Sequence, residues 1–164
     1  GWDPRRSRPT VGYLNICPSA LITDEAAFDD QLVGVVHHIM HALLMSSSNF
    51  EHFVDADGEP RPTKSFLATE RTPGGLERQI ITSPEVVRQA REHYDCDTLE
   101  GVELQDTHWH PGMLLGDILD PFTTRSSGTF SPITLGLMQD SGWYQPVWES
   151  AQVILYGDNA GCEI

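Results

Sequence analysis

His37 and His41 stand four residues apart in the run His37-His38-Ile39-Met40-His41. On a helix, that spacing brings two imidazoles to one face about a turn apart, where both can bind one metal ion. Zinc suits such donors. At a catalytic site it takes a third protein ligand and keeps one position open. His108 and His110, in Thr107-His108-Trp109-His110, are the candidates for the third ligand. His52 and His93 fall in a loop and on a helix without partners in the pattern, and read as surface residues. The competing reading of His37, His38 and His41 is a helix with ordinary polar or buried histidines.

The spacing is that of H-E-x-x-H, the helix motif of zinc hydrolases, whose glutamate takes a proton from the attacking water. Here the glutamate position holds His38. Imidazole accepts protons, but its reach differs and a nearby dication lowers its proton affinity. Loss of a positioned base typically lowers the rate by about 10²–10⁴. Metal binding does not need the glutamate, so ligation and catalysis are separable in this chain. Nothing else in the sequence competes as a centre. There is no Ser/His/Asp order, glycine-rich phosphate loop or paired-carboxylate pattern. Cys17, Cys96 and Cys162 are too scattered for a C-x-x-C site. Asp55-Ala56-Asp57-Gly58 starts like a calcium loop, but the later ligands are missing and a turn is the better reading.

The histidine pair needs a helix, and the pattern predicts one over 24–45, capped by Thr23 or Asp24. Phe28, Leu32, Val35, Ile39 and Leu43 form an apolar stripe along it. The expectation is that this stripe faces the core and that His37 and His41 look the other way, into a cleft. Residues 46–82, with Ser46-Ser47-Ser48 and Pro73-Gly74-Gly75, read as a loop-rich insertion. Ser83-Pro84 opens a second helix to about Tyr94, with Ser83 as cap and Val86, Val87, Ala90 and Tyr94 buried. Ser131-Pro132 opens a third, to about Ser141, stopped by Gly142. Val11–Ile16 reads as a strand ended by Pro18, and 143–164 as irregular or short strand. Residues 1–9 form an extended lead-in, where Arg5-Arg6-Ser7-Arg8 reads as a solvated tail rather than a processing site.

The totals set outer bounds. A chain of 164 residues suffices for one domain or a large piece of one, and its 39% hydrophobic content allows a real core. Its 14 glycines and 11 prolines imply many turns. A formal net charge of −14 repels nucleic acid and anionic membranes. No apolar run approaches the roughly 18 residues of a membrane span. A chain beginning at Gly1 reads as a processed product or a fragment of something longer.

Beyond these local patterns, most of the chain, from about residue 9 to 164, resembles the leishmanolysin family of metzincin-type zinc proteases, which includes the invadolysins. Arg8-Pro9-Thr10-Val11-Gly12-Tyr13-Leu14-Asn15, His41-Ala42-Leu43 and Thr82-Ser83-Pro84-Glu85-Val86-Val87 carry it first. The run from Ala90-Arg91-Glu92-His93-Tyr94-Asp95-Cys96 to Val102-Glu103-Leu104 continues it, with Thr107-His108-Trp109. Leu137-Met138-Gln139-Asp140-Ser141-Gly142-Trp143-Tyr144 and Gly157-Asp158-Asn159-Ala160-Gly161-Cys162 complete it.

The resemblance implies an α+β fold, a metzincin-like lower subdomain of helices, short strands and long irregular loops. Residues 10–164 would be the C-terminal half of the catalytic region, with an active-site helix at 24–45, an insertion at 46–82 and a C-terminal subdomain at 83–164. It implies zinc ligands at His37, His41 and His108, leaving His110 outside. It also implies a Cys96–Cys162 disulfide, with Cys17 free or paired to a segment beyond this chain.

The departures fall on the site. His38 replaces the catalytic glutamate, Leu44 the glycine that ends the motif helix, and Leu119 the methionine of the turn beneath the zinc. The expected protein is therefore a pseudoprotease domain with a binding or structural role in a larger extracellular assembly. It would be secreted, at the cell surface or in the secretory lumen, with zinc still held by three histidines. Its partners would be other proteins or the N-terminal part of its own, not nucleic acid. The alternatives are an active zinc endopeptidase with a non-standard base and a metal-free scaffold.

Overall fold

The computed structural model describes residues 7–72, 74–122 and 128–163. The Arg5-Arg6 part of the charged run lies outside them. The fold is α+β: the described residues form five α-helices, four 3-10 turns and a four-stranded antiparallel sheet, joined by long irregular connections.

The motif helix, α1, spans Phe28–Leu43. A 3-10 turn, Glu25–Ala27, leads into it, and the Asp24 carboxylate accepts from the Ala26 N–H at 3.0 Å. The predicted helix at 24–45 is thus present, in two pieces. Its end shows how leucine is accommodated where the resemblance expects glycine. Leu44 exits with φ −140° and ψ −67°, so no left-handed conformation is needed. Its side chain is fully buried. The terminal carbonyls of α1 are capped from elsewhere. The Asn49 amide donates to the His41 and Ala42 carbonyls at 3.2 and 3.4 Å, and the Tyr144 hydroxyl to that of Leu43 at 3.1 Å.

The expected orientation of α1 is reversed. Phe28, Leu32, Ile39 and Leu43 are 61, 48, 40 and 36% exposed, and Val35 is half-buried. The side turned to the core carries His37 and Met40, 8 and 4% exposed, flanked by Val33 and Val36. Periodicity reveals that a helix has an apolar face but not what covers it.

Residues 46–82 hold more order than expected. Helix α2 spans Ser47–Phe50, and strands β1, Leu67–Arg71, and β2, Glu77–Ile81, form a hairpin. Cross-strand charges support its register. Glu70 faces Arg78 at 2.8 Å and Arg71 faces Glu77 at 2.9 Å. Asp55 accepts from the backbone N–H groups of Asp57 and Glu59, as the turn reading requires. Phe50, Phe53 and Phe66 from this segment pack with Trp143, and Phe53 lies 5.0–5.5 Å centroid to centroid from the other three.

Strand β2 pairs with β3, Val102–Gln105, which turns back into β4, His108–Trp109. A short helix α4, Pro111–Leu114, follows. Helices α3, Pro84–Tyr94, and α5, Pro132–Asp140, pack against one another. Gly136 permits their close approach, since a Cβ there would lie 3.1 Å from the backbone carbon of Glu85. Ser131 caps α5 as expected, accepting from the Thr134 N–H. Ser83 makes no such bond at α3. The Asp140 carboxylate does that work, accepting from Glu85 and Val86 N–H at 2.8 and 3.0 Å. Val86, Ala90 and Tyr94 are buried as expected, while Val87 is half-buried. Val11–Ile16 joins no strand ladder, and 143–163 is irregular apart from a 3-10 turn at Trp148–Ser150.

Candidate metal centre

The elements carry three histidines to one point. His37 and His41 come from successive turns of α1. His108 comes from β4, where alternation sends Trp109 into the core and His108 the opposite way. The Nε2 atoms of His41 and His37 are 3.0 Å apart, those of His41 and His108 3.0 Å, and those of His108 and His37 3.2 Å.

Two backbone carbonyls decide what these nitrogens are. His37 Nδ1 lies 2.7 Å from the Ile118 carbonyl oxygen and His41 Nδ1 2.8 Å from that of Met45. A carbonyl only accepts, so both Nδ1 atoms carry the proton and donate it. In the neutral ring Nε2 is then a bare lone pair. Two lone pairs at 3.0 Å repel, and His108 can donate to only one of them. The cluster is therefore unsatisfied by its own members and suited to a cation. The spacing fits zinc: a tetrahedron with Zn–N bonds of about 2.05 Å has an edge of about 3.3 Å. Outer carbonyl partners that fix the tautomer are the usual support of such ligands.

Burial lowers the proton affinity of His37, against the pull of its bond to the Ile118 carbonyl. His108 is pushed down to about 4 by burial, then by the neighbouring charges of His41 and His37. Both effects favour the neutral, ligating form. The consequence for stability has a definite sign. The unfolded chain takes up these protons first, so the metal-free protein loses stability as pH falls from about 6.5 towards 4. Thermal denaturation across that range should show the fall, and His108→Asn should flatten it. An unchanged slope in His108→Asn would assign the effect to other groups.

The remaining sequence candidates lie apart from this point. His110 caps α4, its Nδ1 accepting from the Gly112 N–H at 3.1 Å. His38 is exposed, with its ring centroid 5.3 Å from that of His37 and 6.4 Å from that of His41. It lines an open surface groove with Tyr13, Leu14, Asn15, His41 and Ala42. His52 is exposed as expected. His93 is not a free surface residue: it is half-buried, and its Nε2 donates to the Tyr156 carbonyl at 3.0 Å.

Leu119 is fully buried, and its carbonyl accepts from the Trp109 N–H at 3.0 Å, tying its loop to the strand that bears His108. Asp117 and Asp120, on either side of it, belong to no motif in the sequence. Both are buried. Asp120 accepts from the Gly116 and Phe122 N–H groups. Burial raises the Asp117 carboxyl to about 6, opposed by bonds from Ser131, Leu119 and Thr134. Two aspartates inside an otherwise apolar run, upstream of Ser131 and Thr134, were the available signal.

Cys96 and Cys162 form the expected disulfide. Cys17 is exposed and carries a free thiol.

A helix-borne histidine pair joined by a distant third histidine is a group that could hold one metal ion, in the arrangement used by zinc peptidases. The comparison with known families agrees. The leishmanolysin (peptidase M8) family model matches residues 4–164, and the chain belongs to that family. It is 34% identical over 191 residues to a leishmanolysin-like peptidase of Drosophila pseudoobscura pseudoobscura, covering 94% of this chain and 28% of that protein. It is 33% identical over 165 residues to leishmanolysin of Leishmania major, covering 94% and 25%. It is 27% identical over 167 residues to the ciliated left-right organizer metallopeptidase of Mus musculus, covering 94% and 24%. The chain thus spans about a quarter of the length of these relatives.

Proposed function

We propose that this chain is the zinc-holding part of a leishmanolysin-family protein that binds other polypeptides and no longer cleaves them efficiently. One observation carries the reading: three imidazole nitrogens converge within 3.2 Å while the base position beside them holds His38. His37, His41 and His108 would hold the ion. Zinc bound there would supply a Lewis acid for a peptide carbonyl. His38 is exposed beside the cluster and lines one open groove with His41. Its imidazole cannot reproduce the reach of a glutamate.

Two further features support a binding role in a larger extracellular assembly. The outward stripe of Phe28, Leu32, Ile39 and Leu43 is too apolar for a solvent face and suits contact with more polypeptide, such as another part of a longer protein. The disulfide suits an oxidising compartment: outside the cell, at its surface, or in the secretory lumen. Among the described residues no helix is long and apolar enough to cross a membrane.

Metal analysis after gel filtration should find about one equivalent of zinc on the wild type and less than about a tenth on His41→Ala. Peptide hydrolysis by the zinc-loaded wild type should stay near the uncatalysed background. Zinc-free wild type after loading would overturn the metal reading in favour of a metal-free scaffold. Chelator-sensitive cleavage at ordinary protease rates would overturn the loss of activity, and would make His38 or another group a working base.

A further inference from the structure

The geometry points to Asp117 as a positioning residue that sets the metal affinity of the histidine cluster through the backbone of the next residue, Ile118. It rests on the metal-centre reading above and extends it to a residue that touches none of the three histidines.

The chain of contacts is short. The Ile118 carbonyl accepts from His37 Nδ1 at 2.7 Å and so fixes both the tautomer and the plane of that ring. A carbonyl holds a ring only as well as its own peptide is held. Ile118 lies between Gly116 and Asp120, in a loop whose regular pairing is limited to a single bridge between Asp117 and Thr129. Backbone bonds to Thr129 and Trp109 hold the loop from outside, and the fully buried Asp117 carboxylate holds it from within, through the same peptide that bears the Ile118 carbonyl. The carboxylate accepts from the Leu119 N–H at 2.8 Å, the Ser131 N–H at 3.3 Å and the Ser131 hydroxyl at 2.5 Å. The Thr134 hydroxyl lies 2.8 and 2.9 Å from its two oxygens.

Ser131 and Thr134 sit at the start of α5, so Asp117 bolts the loop to a rigid helix end. The same Thr134 hydroxyl accepts from the Trp109 indole N–H at 2.7 Å. Trp109 adjoins His108. The Asp117 cluster therefore reaches two of the three ligands, His37 by way of Ile118 and His108 by way of Trp109. A carboxylate is needed because every neighbour named here is a donor. An asparagine would offer one oxygen, and its amide would face the Ser131 N–H, donor against donor.

The test compares Asp117→Asn with Asp140→Asn. Asp140 is a similarly placed structural carboxylate, capping α3 away from the cluster. Three readouts are taken: zinc affinity by chelator competition, the visible spectrum of the cobalt-substituted protein, and the imidazole ¹⁵N signals of the metal-free protein. Asp117→Asn should weaken zinc by about 10- to 100-fold, shift the cobalt bands and remove the protonated Nδ1 signature of His37. Asp140→Asn should lower the melting temperature and leave all three readouts unchanged.

If Asp117→Asn does not fold, Ser131→Ala removes one donor, and a loss of about 3-fold or more in zinc affinity would support the inference. Wild-type affinity in Asp117→Asn, or in Ser131→Ala where that is the folded variant, would overturn it. So would equal losses in Asp117→Asn and Asp140→Asn. Should the wild type bind no zinc, the metal-centre reading fails. The ¹⁵N signals then judge the inference alone, and an unchanged His37 Nδ1 signature in Asp117→Asn would overturn it.

Discussion

Replacing His38 by glutamate should raise peptide hydrolysis by about 10²–10⁴-fold over the wild type, the usual contribution of a positioned general base. Little else at the site is disturbed. The three histidines already converge, and two backbone carbonyls already hold two of them in the tautomer that leaves Nε2 free to ligate. Leu44 leaves the helix at negative φ and fills the core, so the chain's path does not need the glycine that the resemblance expects there. Leu119 is fully buried and its backbone holds the strand of His108, so leucine packs where the resemblance expects methionine. Position 38 is exposed on α1, and glutamate is a better helix former than histidine, so the substitution meets no packing obstacle.

The measurement is turnover of a quenched peptide by the longest protein that carries this domain, with His38→Gln as the control for loss of imidazole. His38→Gln should stay at the wild-type level. A glutamate variant that keeps its zinc and gains less than about 10-fold would show that the absent base is not the main defect. Adding Leu119→Met would then ask whether the floor of the site is the defect instead.

The sequence disclosed this site unevenly, for physical reasons. His37 and His41 were legible because the helical repeat links residues four apart without reference to the rest of the fold. His108 was one of two candidates by residue type, and only the family resemblance chose it over His110. The deciding fact is that β4 ends at Trp109 and the chain turns at His110 into α4, so that His110 caps a helix instead of lying beside His108. The orientation of α1 was read the wrong way round. Its most apolar stripe was assigned to the core, whereas the chain buries the side with His37 and Met40. The β1–β2 hairpin was missed because its strands, Leu67–Arg71 and Glu77–Ile81, are mostly polar and held in register by Arg–Glu pairs. Asp117 escaped notice because its importance lies in four donors gathered from three positions, an arrangement with no local periodicity.

Removing the Cys96–Cys162 disulfide should lower stability by roughly 4 kcal/mol. The bond closes a loop of sequence separation 66, and the chain-entropy model assigns about that much to a loop of this size. For a domain of this length the loss corresponds to a melting temperature lower by about 8–16 °C. The effect should not stop at the cysteines, because the tail they hold is woven into α3. Asn159 and Gly161 N–H donate to the His93 and Tyr94 carbonyls at 2.9 and 2.7 Å, and His93 grips the Tyr156 carbonyl. Gly157 sits at φ +76° against the Tyr94 ring, where a Cβ would come within 2.6 Å of Cε1. Tyr94 in turn donates from its hydroxyl to the Met113 carbonyl at 2.7 Å, in the short helix that follows His108. Loosening the tail therefore loosens the strand that presents the third ligand. Calorimetry of the Cys96→Ser/Cys162→Ser double variant, with and without zinc, reads both consequences. The metal-free variant should melt lower by the stated amount, and zinc should recover part of the loss because it binds only the folded cluster. A double variant that melts within about 2 °C of the wild type would mean that the hydrogen bonds of the tail, rather than its covalent tie, hold it against α3.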